Sequence, residues 1–382
     1  MVWHCLSLVP VALVICLGLS AFLLRWSPRL GLLDRGGTEP HKRSGRAVPN
    51  TGGIGIFWAV TGPVLAILVG AWLLPPSWWL NWSDDVALHV QGLRRTWVLG
   101  AGVLGAMAAM HLLGLYDDQR PLRAWVKLVV ELAVALALVV LCDMRALVFL
   151  GERFGMGGTV ISLALSVVWI VVVVNAFNML DNMDGLTTGV AAICTSLYLA
   201  ATLLTGQWFV ASMAALLLGA LLGFAPFNLS RARMYMGDGG SLVVGMLVAV
   251  ISIRTTYFAP DIANKPGHWY GVLMPLMLLA IPLYDFISVS ILRVVQGRRP
   301  WWADRQHFSH RLVQLGLSQR SAVAVIWLCT AATGLSGVML GTLAYWQAII
   351  AAIQTLLIVA MLAMLEWAAA GPTANRDGLA KS

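Results

Sequence analysis

Apolar segments long enough to cross a membrane recur along most of the chain, separated by short polar loops. A spanning helix needs about 20 mostly apolar residues. Eleven segments fit that length: 7–24, 54–74, 97–115, 125–142, 159–177, 187–205, 208–228, 241–258, 271–292, 322–342 and 345–367. The pattern predicts an all-α, polytopic membrane helix bundle of about eleven transmembrane helices.

The overall composition supports this prediction. Of the 382 residues, 59% are hydrophobic and 11% are charged, whereas a soluble globular chain carries roughly 25% charged residues. This composition excludes a soluble enzyme and an intrinsically disordered chain. Five cysteines are scattered through apolar stretches with no Cys-x-x-Cys pair, which indicates small buried side chains rather than a disulfide or zinc framework.

The basic residues give the bundle a predicted orientation. The formal net charge is +8, and 19 of the 25 Lys and Arg residues fall on one set of alternate loops. Because cytoplasmic loops are enriched in Lys and Arg, we expect a multi-pass protein of the inner (plasma) membrane, with its N-terminus outside and its C-terminus in the cytoplasm. Because the basic loops of a membrane protein account for the positive charge, we expect no nucleic-acid partner. We expect one integral-membrane domain over residues 1–367 and a disordered cytoplasmic tail over 368–382.

Two adjacent acids directly follow the third predicted span. Asp117 and Asp118 lie in the segment GLYDDQRPL. Neighbouring carboxylates repel each other, so a nearby cation is expected. The alternative is a helix-end acid pair in water, paired with Arg120 or Arg123.

Amides and acids also crowd the end of the fifth span, in the segment NAFNMLDNMDGL over residues 175–186. Asn178, Asp181 and Asp184 are each three residues apart, which places successive pairs on one face of a helix. Such a density of oxygen ligands suits a hard cation or a hydroxylated ligand. The alternative is a polar turn between two spans.

A glycine-rich turn precedes the eighth span. Asp238 lies in the sequence YMGDGGSL, after Tyr235, and Arg231 and Arg233 lie just upstream. Glycines let a backbone approach a ligand closely, and the N-terminus of the helix that follows favours phosphate oxygens. The turn therefore indicates a phosphate-binding element.

The loop over residues 293–320 is rich in arginine and contains His307 and His310, three residues apart. Two histidines among arginines suit a diphosphate, and a metal site or an amphipathic interfacial helix are the alternatives.

The first loop, 34–57, is basic and ends in PNTGG. All five loops fall on the predicted cytoplasmic side, so the pattern favours an active site at one end of a helix bundle.

These motifs carry a family resemblance. PNTGG, GLYDDQ, NAFNMLDNMDGL, YMGDGGS and DRQHFSHRL occur in that order between about residues 30 and 320, and IPLYDFISVSILR supplies a further acid, Asp285. The chain resembles the polyprenyl-phosphate N-acetylhexosamine-1-phosphate transferases (glycosyltransferase family 4). It is most similar to the undecaprenyl-phosphate N-acetylglucosamine-1-phosphate transferase branch.

The resemblance implies a Mg²⁺-dependent transfer, with Mn²⁺ as a substitute ion. A phospho-sugar would move from a UDP-N-acetylhexosamine to undecaprenyl phosphate, a polyprenyl phosphate held in the membrane lipid. UMP would be released, and the lipid-diphosphate-sugar would serve cell-envelope glycan synthesis, including lipopolysaccharide. Members of the family often dimerise, so a homodimer is a further expectation.

The resemblance also assigns roles to residues of this chain. It implies catalytic roles for Asp117, Asp118, Asp181, Asp184 and His307, substrate-binding roles for Asn178, Tyr235, Lys127, His310 and Arg305, and metal ligation by Asp238 with Asp118.

The chain departs from the family pattern at several positions. Ser44 and Ala47 replace a histidine and a proline of the first loop, and Ser309 stands where a third histidine is common. Two other functions stay open on these residues: transfer of phospho-N-acetylmuramoyl-pentapeptide, and transport of an anionic substrate. The acid pair is compatible with a single displacement or with covalent catalysis by an aspartate.

Overall fold

The computed structural model describes residues 1–30, 33–34, 48–81, 84–95, 97–229, 231–255, 269–299, 301 and 306–370. These parts of the chain are almost wholly helical. The helices are α1 (Val2–Leu30), α2 (Gly52–Leu73), α3 (Pro76–Leu80), α4 (Asp84–Arg95), α5 (Trp97–Gln119), α6 (Ala124–Leu141), α7 (Phe149–Leu180), α8 (Leu186–Leu204), α9 (Trp208–Asn228), α10 (Asp238–Arg254), α11 (Met274–Leu278), α12 (Ala280–Val295), α13 (Phe308–Gln314), α14 (Gln319–Val338) and α15 (Tyr345–Ala370). Two short 3-10 turns, Trp269–Leu273 and Leu340–Thr342, and one antiparallel strand pair, β1 (Leu33–Asp34) with β2 (Val48–Pro49), complete the described elements.

The length and hydropathy of these helices confirm a polytopic all-α membrane protein. Within the described ranges, nine helices are long and apolar enough to cross a membrane: α1, α2, α5, α6, α7, α8, α9, α14 and α15. The bent pair Tyr270–Leu278 and Ala280–Val295, whose axes differ by 68°, counts as a tenth span if its two helices are taken as one span. The remaining predicted span, 241–258, corresponds to α10, which has 17 residues and is therefore about 26 Å long.

Helix α10 forms the centre of the bundle. Every residue from Gly239 to Ser252 is buried, and α2, α5, α7, α8 and α9 all pack against it. Its side chains join the main hydrophobic core, which runs from Cys5 in α1 to Leu362 in α15. A helix surrounded by other helices can be apolar on all faces, so α10 shows no polar stripe. The N-terminus of α10 consequently has a fixed position relative to several neighbouring helices.

Helix α5 approaches the N-terminus of α10 unusually closely at Gly114. A Cβ atom at that position would lie 2.3 Å from the backbone carbonyl carbon of Asp238. No real Cβ tolerates such a distance, so the contact requires glycine. The approach brings the acid pair at the end of α5 alongside Asp238.

We expect Gly114→Ala to separate α5 from α10 and to lower both the free energy of unfolding and any activity of the site. Gly105→Ala is the matched control, because it lies on the same helix and an added Cβ would meet nothing within 4 Å. Overpacking costs typically about 1–3 kcal/mol, which thermal unfolding in detergent can resolve. Equal unfolding midpoints for the two variants would contradict the close approach.

Some predicted features lie beyond the described residues. Ser44 and Ala47 of the first loop fall outside them, as does the tail from 371 onward. Helix α15 continues to Ala370, three residues past the predicted end of the membrane domain. The division into one membrane domain and a disordered tail stays a prediction.

Candidate active site

The first and fourth motifs, PNTGG and YMGDGGS, are joined by backbone hydrogen bonds at one end of the bundle. The N–H of Tyr235 donates to the carbonyl of Pro49 (2.9 Å), and the N–H groups of Gly52 and Gly53 donate to the carbonyls of Tyr235 and Met236 (3.0 and 2.9 Å). The segment PNTGG therefore runs alongside the turn YMGDGG and is hydrogen-bonded to its backbone. This pairing fixes the turn that carries Asp238.

Asp118 holds the N-terminus of α10. Its Oδ1 accepts from the N–H of Asp238 (3.0 Å) and from the side-chain amide of Asn50 (2.8 Å), and its Oδ2 accepts from the N–H of Gly239 (3.1 Å). A carboxylate at this position satisfies donors that a helix start leaves unpaired. Gly237 completes the turn with a φ of +69°, a conformation that favours glycine. Asp118 thus ties α5, the first loop and α10 together.

Lys127 lies between the two other acids of the site. Its ammonium group lies 3.0 Å from Asp117 Oδ2 and 2.8 Å from Asp238 Oδ2. The second oxygen of Asp117 accepts from the N–H of Leu122 (2.6 Å). The cation expected beside the acid pair is therefore Lys127 rather than Arg120 or Arg123. We call Asp117, Asp118, Lys127 and Asp238 the acidic cluster.

Two carboxylates of the acidic cluster could serve as ligands of a divalent cation such as Mg²⁺. Asp117 and Asp238 already converge on one cation, the ammonium of Lys127. Among the described residues, no three acid, histidine or cysteine side chains surround a common point. Mg²⁺ usually keeps several waters and binds through one or two carboxylates plus substrate phosphates, so two converging aspartates fit it. The predicted ligand pair of Asp238 and Asp118 stays a prediction, and in the structure it is Asp117 that shares the ammonium of Lys127 with Asp238.

The end of α7 forms one wall of the cluster. The side-chain amide of Asn178 donates to Ser241 Oγ (2.9 Å) in the first turn of α10. One turn earlier, the amide of Asn175 donates to the carboxylate of Glu131, which is buried in α6. Glu131 was not among the predicted site residues, although a lone acid four residues after Lys127 in an apolar span is a visible signal.

The turn after α7 is held by other loops. Asp184 Oδ2 accepts from the N–H of Ala232 (2.9 Å), and Asn228 Oδ1 accepts from the N–H of Gly185 (3.1 Å). Asp181, at the end of α7, is partly exposed. Asp184, predicted as catalytic, thus occupies a position that joins two loops.

The histidine motif is anchored on α12 through Asp285. Asp285 Oδ2 lies 3.0 Å from His307 Nδ1, and its Oδ1 accepts from the N–H of Phe308 (2.7 Å). On the other side of the ring, His307 Nε2 lies 3.5 Å from Arg293 Nη2. All three ionisable side chains are buried. This geometry suits His307 as an anchor of the loop, while its predicted catalytic role stays a prediction.

Three further predicted residues differ in their placement. His310 is partly exposed in the first turn of α13, three residues after His307. Tyr235 is also partly exposed, in the turn beside the acidic cluster. Arg305 lies outside the described residues.

The last helix contributes a partly buried acid, Glu366, that sequence reasoning missed. Glu366 Oε2 accepts from the hydroxyl of Tyr284 (2.6 Å) and lies 3.0 Å from Arg311 Nη1. Arg311 also donates to Ser288 Oγ (2.9 Å). The sequence does carry a signal for this residue, because Glu366 is an acid within an otherwise uncharged apolar helix. An ionisable residue in such a helix usually has a partner or a function. The last span therefore supports the helix that carries the histidines.

We expect Glu366→Leu to destabilise the protein, because it leaves the partly buried guanidinium of Arg311 without its carboxylate. Removing one partner of a fully buried ion pair costs about 3–5 kcal/mol, and the cost here is smaller because water reaches both side chains. Glu152→Leu, at an exposed position of α7, is the control. Thermal unfolding in detergent measures both, and an unchanged midpoint for Glu366→Leu would show that the pair does not support α13.

Comparison with known proteins agrees with this site. The model of the family described as "Glycosyl transferase family 4" matches residues 101–256, a stretch that contains the whole acidic cluster and the turn after α7. The histidine motif lies beyond that stretch.

Several similar proteins extend the match. A protein of Bacillus subtilis named "Probable undecaprenyl-phosphate N-acetylglucosaminyl 1-phosphate transferase" is 28% identical over 340 residues, covering 88% of this chain and 85% of its own. The "Decaprenyl-phosphate N-acetylglucosaminephosphotransferase" of Mycobacterium leprae is 31% identical, covering 64% and 66%. The "Undecaprenyl-phosphate alpha-N-acetylglucosaminyl 1-phosphate transferase" of Escherichia coli K12 is 28% identical, covering 62% and 64%. With the motifs, the membrane bundle and the acidic cluster all in agreement, this chain belongs to glycosyl transferase family 4.

Proposed function

We propose that this protein transfers N-acetylglucosamine-1-phosphate from UDP-N-acetylglucosamine to a polyprenyl phosphate, with undecaprenyl phosphate as the expected acceptor. The observation that carries the proposal is the ammonium of Lys127 held between Asp117 and Asp238, where three of the motifs meet. The names of the similar proteins support the sugar and the lipid class.

The proposed reaction is one displacement at phosphorus. A phosphate oxygen of the lipid attacks the β-phosphorus of the UDP-sugar and forms a new P–O–P bond. The bond between the β-phosphorus and the oxygen that bridges it to the α-phosphorus breaks, and UMP leaves with that oxygen. Atoms and charge balance without a further reactant, and the sugar keeps its bond to the transferred phosphate.

Asp238 and Asp117 would hold Mg²⁺ together with the diphosphate. When bound, that ion neutralises charge on the phosphates and improves UMP as a leaving group. Asp118 keeps Asp238 in place through its hydrogen bonds to the start of α10. Its role in this proposal is therefore to position a ligand rather than to serve as one.

Lys127 would bind the lipid phosphate. Its side chain is 20% exposed, so the ammonium can be reached from outside the bundle. Lys127 lies in the first turn of α6, and the outer face of this helix carries exposed apolar residues such as Trp125, Leu128 and Leu132. An amphipathic stem next to an apolar surface suits a lipid whose phosphate lies at the membrane boundary.

The remaining predicted residues would face the UDP-sugar. Asp181 and His310 are both partly exposed and lie on the turn after α7 and on α13. Tyr235 offers a ring on which uracil could stack. These roles, and that of Arg305, are proposals that follow from the family resemblance.

We also propose an arrangement in the cell. The basic loops favour the cytoplasmic face of the inner membrane for the site, with the N-terminus outside, the C-terminus inside and a homodimer as the assembly. Labelling of single introduced cysteines at residues 2 and 380 with a membrane-impermeant thiol reagent, in a cysteine-free background, tests the orientation. Reaction from outside at residue 380 would contradict it.

The assay uses purified full-length protein in detergent with undecaprenyl phosphate and Mg²⁺. UDP-N-acetylglucosamine, UDP-N-acetylgalactosamine and UDP-N-acetylmuramoyl-pentapeptide are offered separately, and UMP release is followed. We expect release from UDP-N-acetylglucosamine, dependent on both the lipid and Mg²⁺. UMP release only from the pentapeptide donor would contradict the proposed sugar. Trapping of a phosphoryl-aspartate without lipid would contradict the single displacement and support a covalent route.

A further inference from the structure

A buried hydrogen bond joins the histidine motif to the turn after α7. Ser309 Oγ lies 2.5 Å from Asn182 Oδ1, and only 1% of Ser309 is exposed. Ser309 stands between His307, anchored by Asp285, and His310, which is partly exposed. The hydrogen bond thus holds the residue at the middle of the histidine motif.

The direction of this bond is determined by a second one. The Asn182 side-chain amide donates to the carbonyl of Met179 (2.9 Å), which turns its carbonyl oxygen toward Ser309. The hydroxyl must therefore donate, since a carbonyl oxygen only accepts. Ser309 is also one of the departures from the family pattern, and the structure gives its hydroxyl a specific partner.

The turn that carries Asn182 is tied to the acidic cluster by other contacts. Asn178, four residues earlier, bonds to Ser241 in the first turn of α10. Asp184, two residues later, accepts from the N–H of Ala232 in the loop that leads to Asp238. The bond from Asn182 to Ser309 therefore links the histidine motif to a turn that is already fixed against the acidic cluster.

We infer that Asn182 and Ser309 are positioning residues whose hydrogen bond sets the distance between His310 and the 181–185 turn, and thereby the affinity for the UDP-sugar. This inference rests on the proposed function. In the proposed function, the acidic cluster and His310 bind the UDP-sugar from two sides. The lipid phosphate is assigned to Lys127 on α6, which this bond does not touch. Loss of the bond should therefore weaken donor binding more than acceptor binding.

The test compares Ser309→Ala, Asn182→Ala and the double variant, with Ser196→Ala as control because Ser196 is exposed in α8 and bonds only within its own helix turn. Steady-state UMP release gives KM for the UDP-sugar and for undecaprenyl phosphate. The rise in thermal unfolding midpoint caused by UDP gives a second measure that needs no turnover.

We expect each single variant to raise the donor KM about 5- to 10-fold, as for a lost buried hydrogen bond, with the acceptor KM within about 2-fold of wild type. The double variant should be no worse than the poorer single variant, because both remove the same bond.

Three results would overturn the inference: an unchanged donor KM in Ser309→Ala, equal changes in the donor and acceptor KM values, or effects that add in the double variant. Wild-type protein that releases no UMP would refute the proposed function instead. In that case the increase in unfolding midpoint caused by UDP still tests the inference. A UDP-induced increase in wild type that is smaller in Ser309→Ala supports the positioning role of the bond. No increase in wild type, or an equal increase in both proteins, refutes that role.

Discussion

Asp238→Asn should reduce UMP release by roughly 10³-fold or more, which is the largest loss we expect from a single substitution in this protein. The carboxylate of Asp238 lies 2.8 Å from the ammonium of Lys127 and heads the central helix α10. An amide of the same shape removes the negative charge that would hold Mg²⁺ and leaves the fold almost unchanged. Losses of 10²–10³ are typical when one electrostatic contribution to a transition state is removed, and here a metal ligand is removed as well.

Asp143→Asn is the matched control for this change. Asp143 is exposed, forms an ion pair with Arg145 and lies in the loop between α6 and α7, at the end of α6 opposite to Lys127. Its activity should stay within about 2-fold of wild type. Unfolding midpoints of both variants should match wild type, so that the loss belongs to the site rather than to the fold. Full activity in Asp238→Asn would remove this residue as a metal ligand.

Lys127→Gln is expected to show the second largest effect, a loss of about 10²- to 10³-fold in kcat/KM for the lipid phosphate. Without the ammonium, Asp117 and Asp238 lose one of the positive charges that would neutralise them, and like charges close together are unfavourable. The lipid phosphate also loses its proposed partner. Raising the undecaprenyl phosphate concentration should recover part of the rate, whereas raising the UDP-sugar concentration should not.

Two further variants sharpen this prediction. Lys127→Arg keeps the charge but not the compact shape of the ammonium, so an intermediate rate is expected. Arg120→Gln removes one positive charge from an exposed side chain in the loop between α5 and α6 and should change the rate by less than about 3-fold. If Arg120→Gln were as damaging as Lys127→Gln, general positive charge rather than the specific contact would explain both.

Much of the candidate site could be predicted from single segments. Asp117, Asp118 and Asp238 stand out because carboxylates next to apolar spans are costly unless they have a partner or a role. The segment 175–186 stands out for the same reason. Assigning a role to each acid was harder, because Asp118 and Asp184 turn out to accept backbone N–H groups of other loops. Nothing in the spacing of these acids distinguishes a ligand from a cap.

Local hydropathy is enough to predict a polytopic helical membrane protein, because each spanning helix satisfies its own backbone hydrogen bonds. The ordered motifs, and through them the family, are likewise visible in the sequence alone. Which side chains meet depends on how the helices pack together. Lys127 and Asp238 are 111 residues apart, and Asn182 and Ser309 are 127 residues apart. The physical reason is that such contacts depend on how closely helices pack, and close packing such as that at Gly114 is a property of two surfaces rather than of either segment alone.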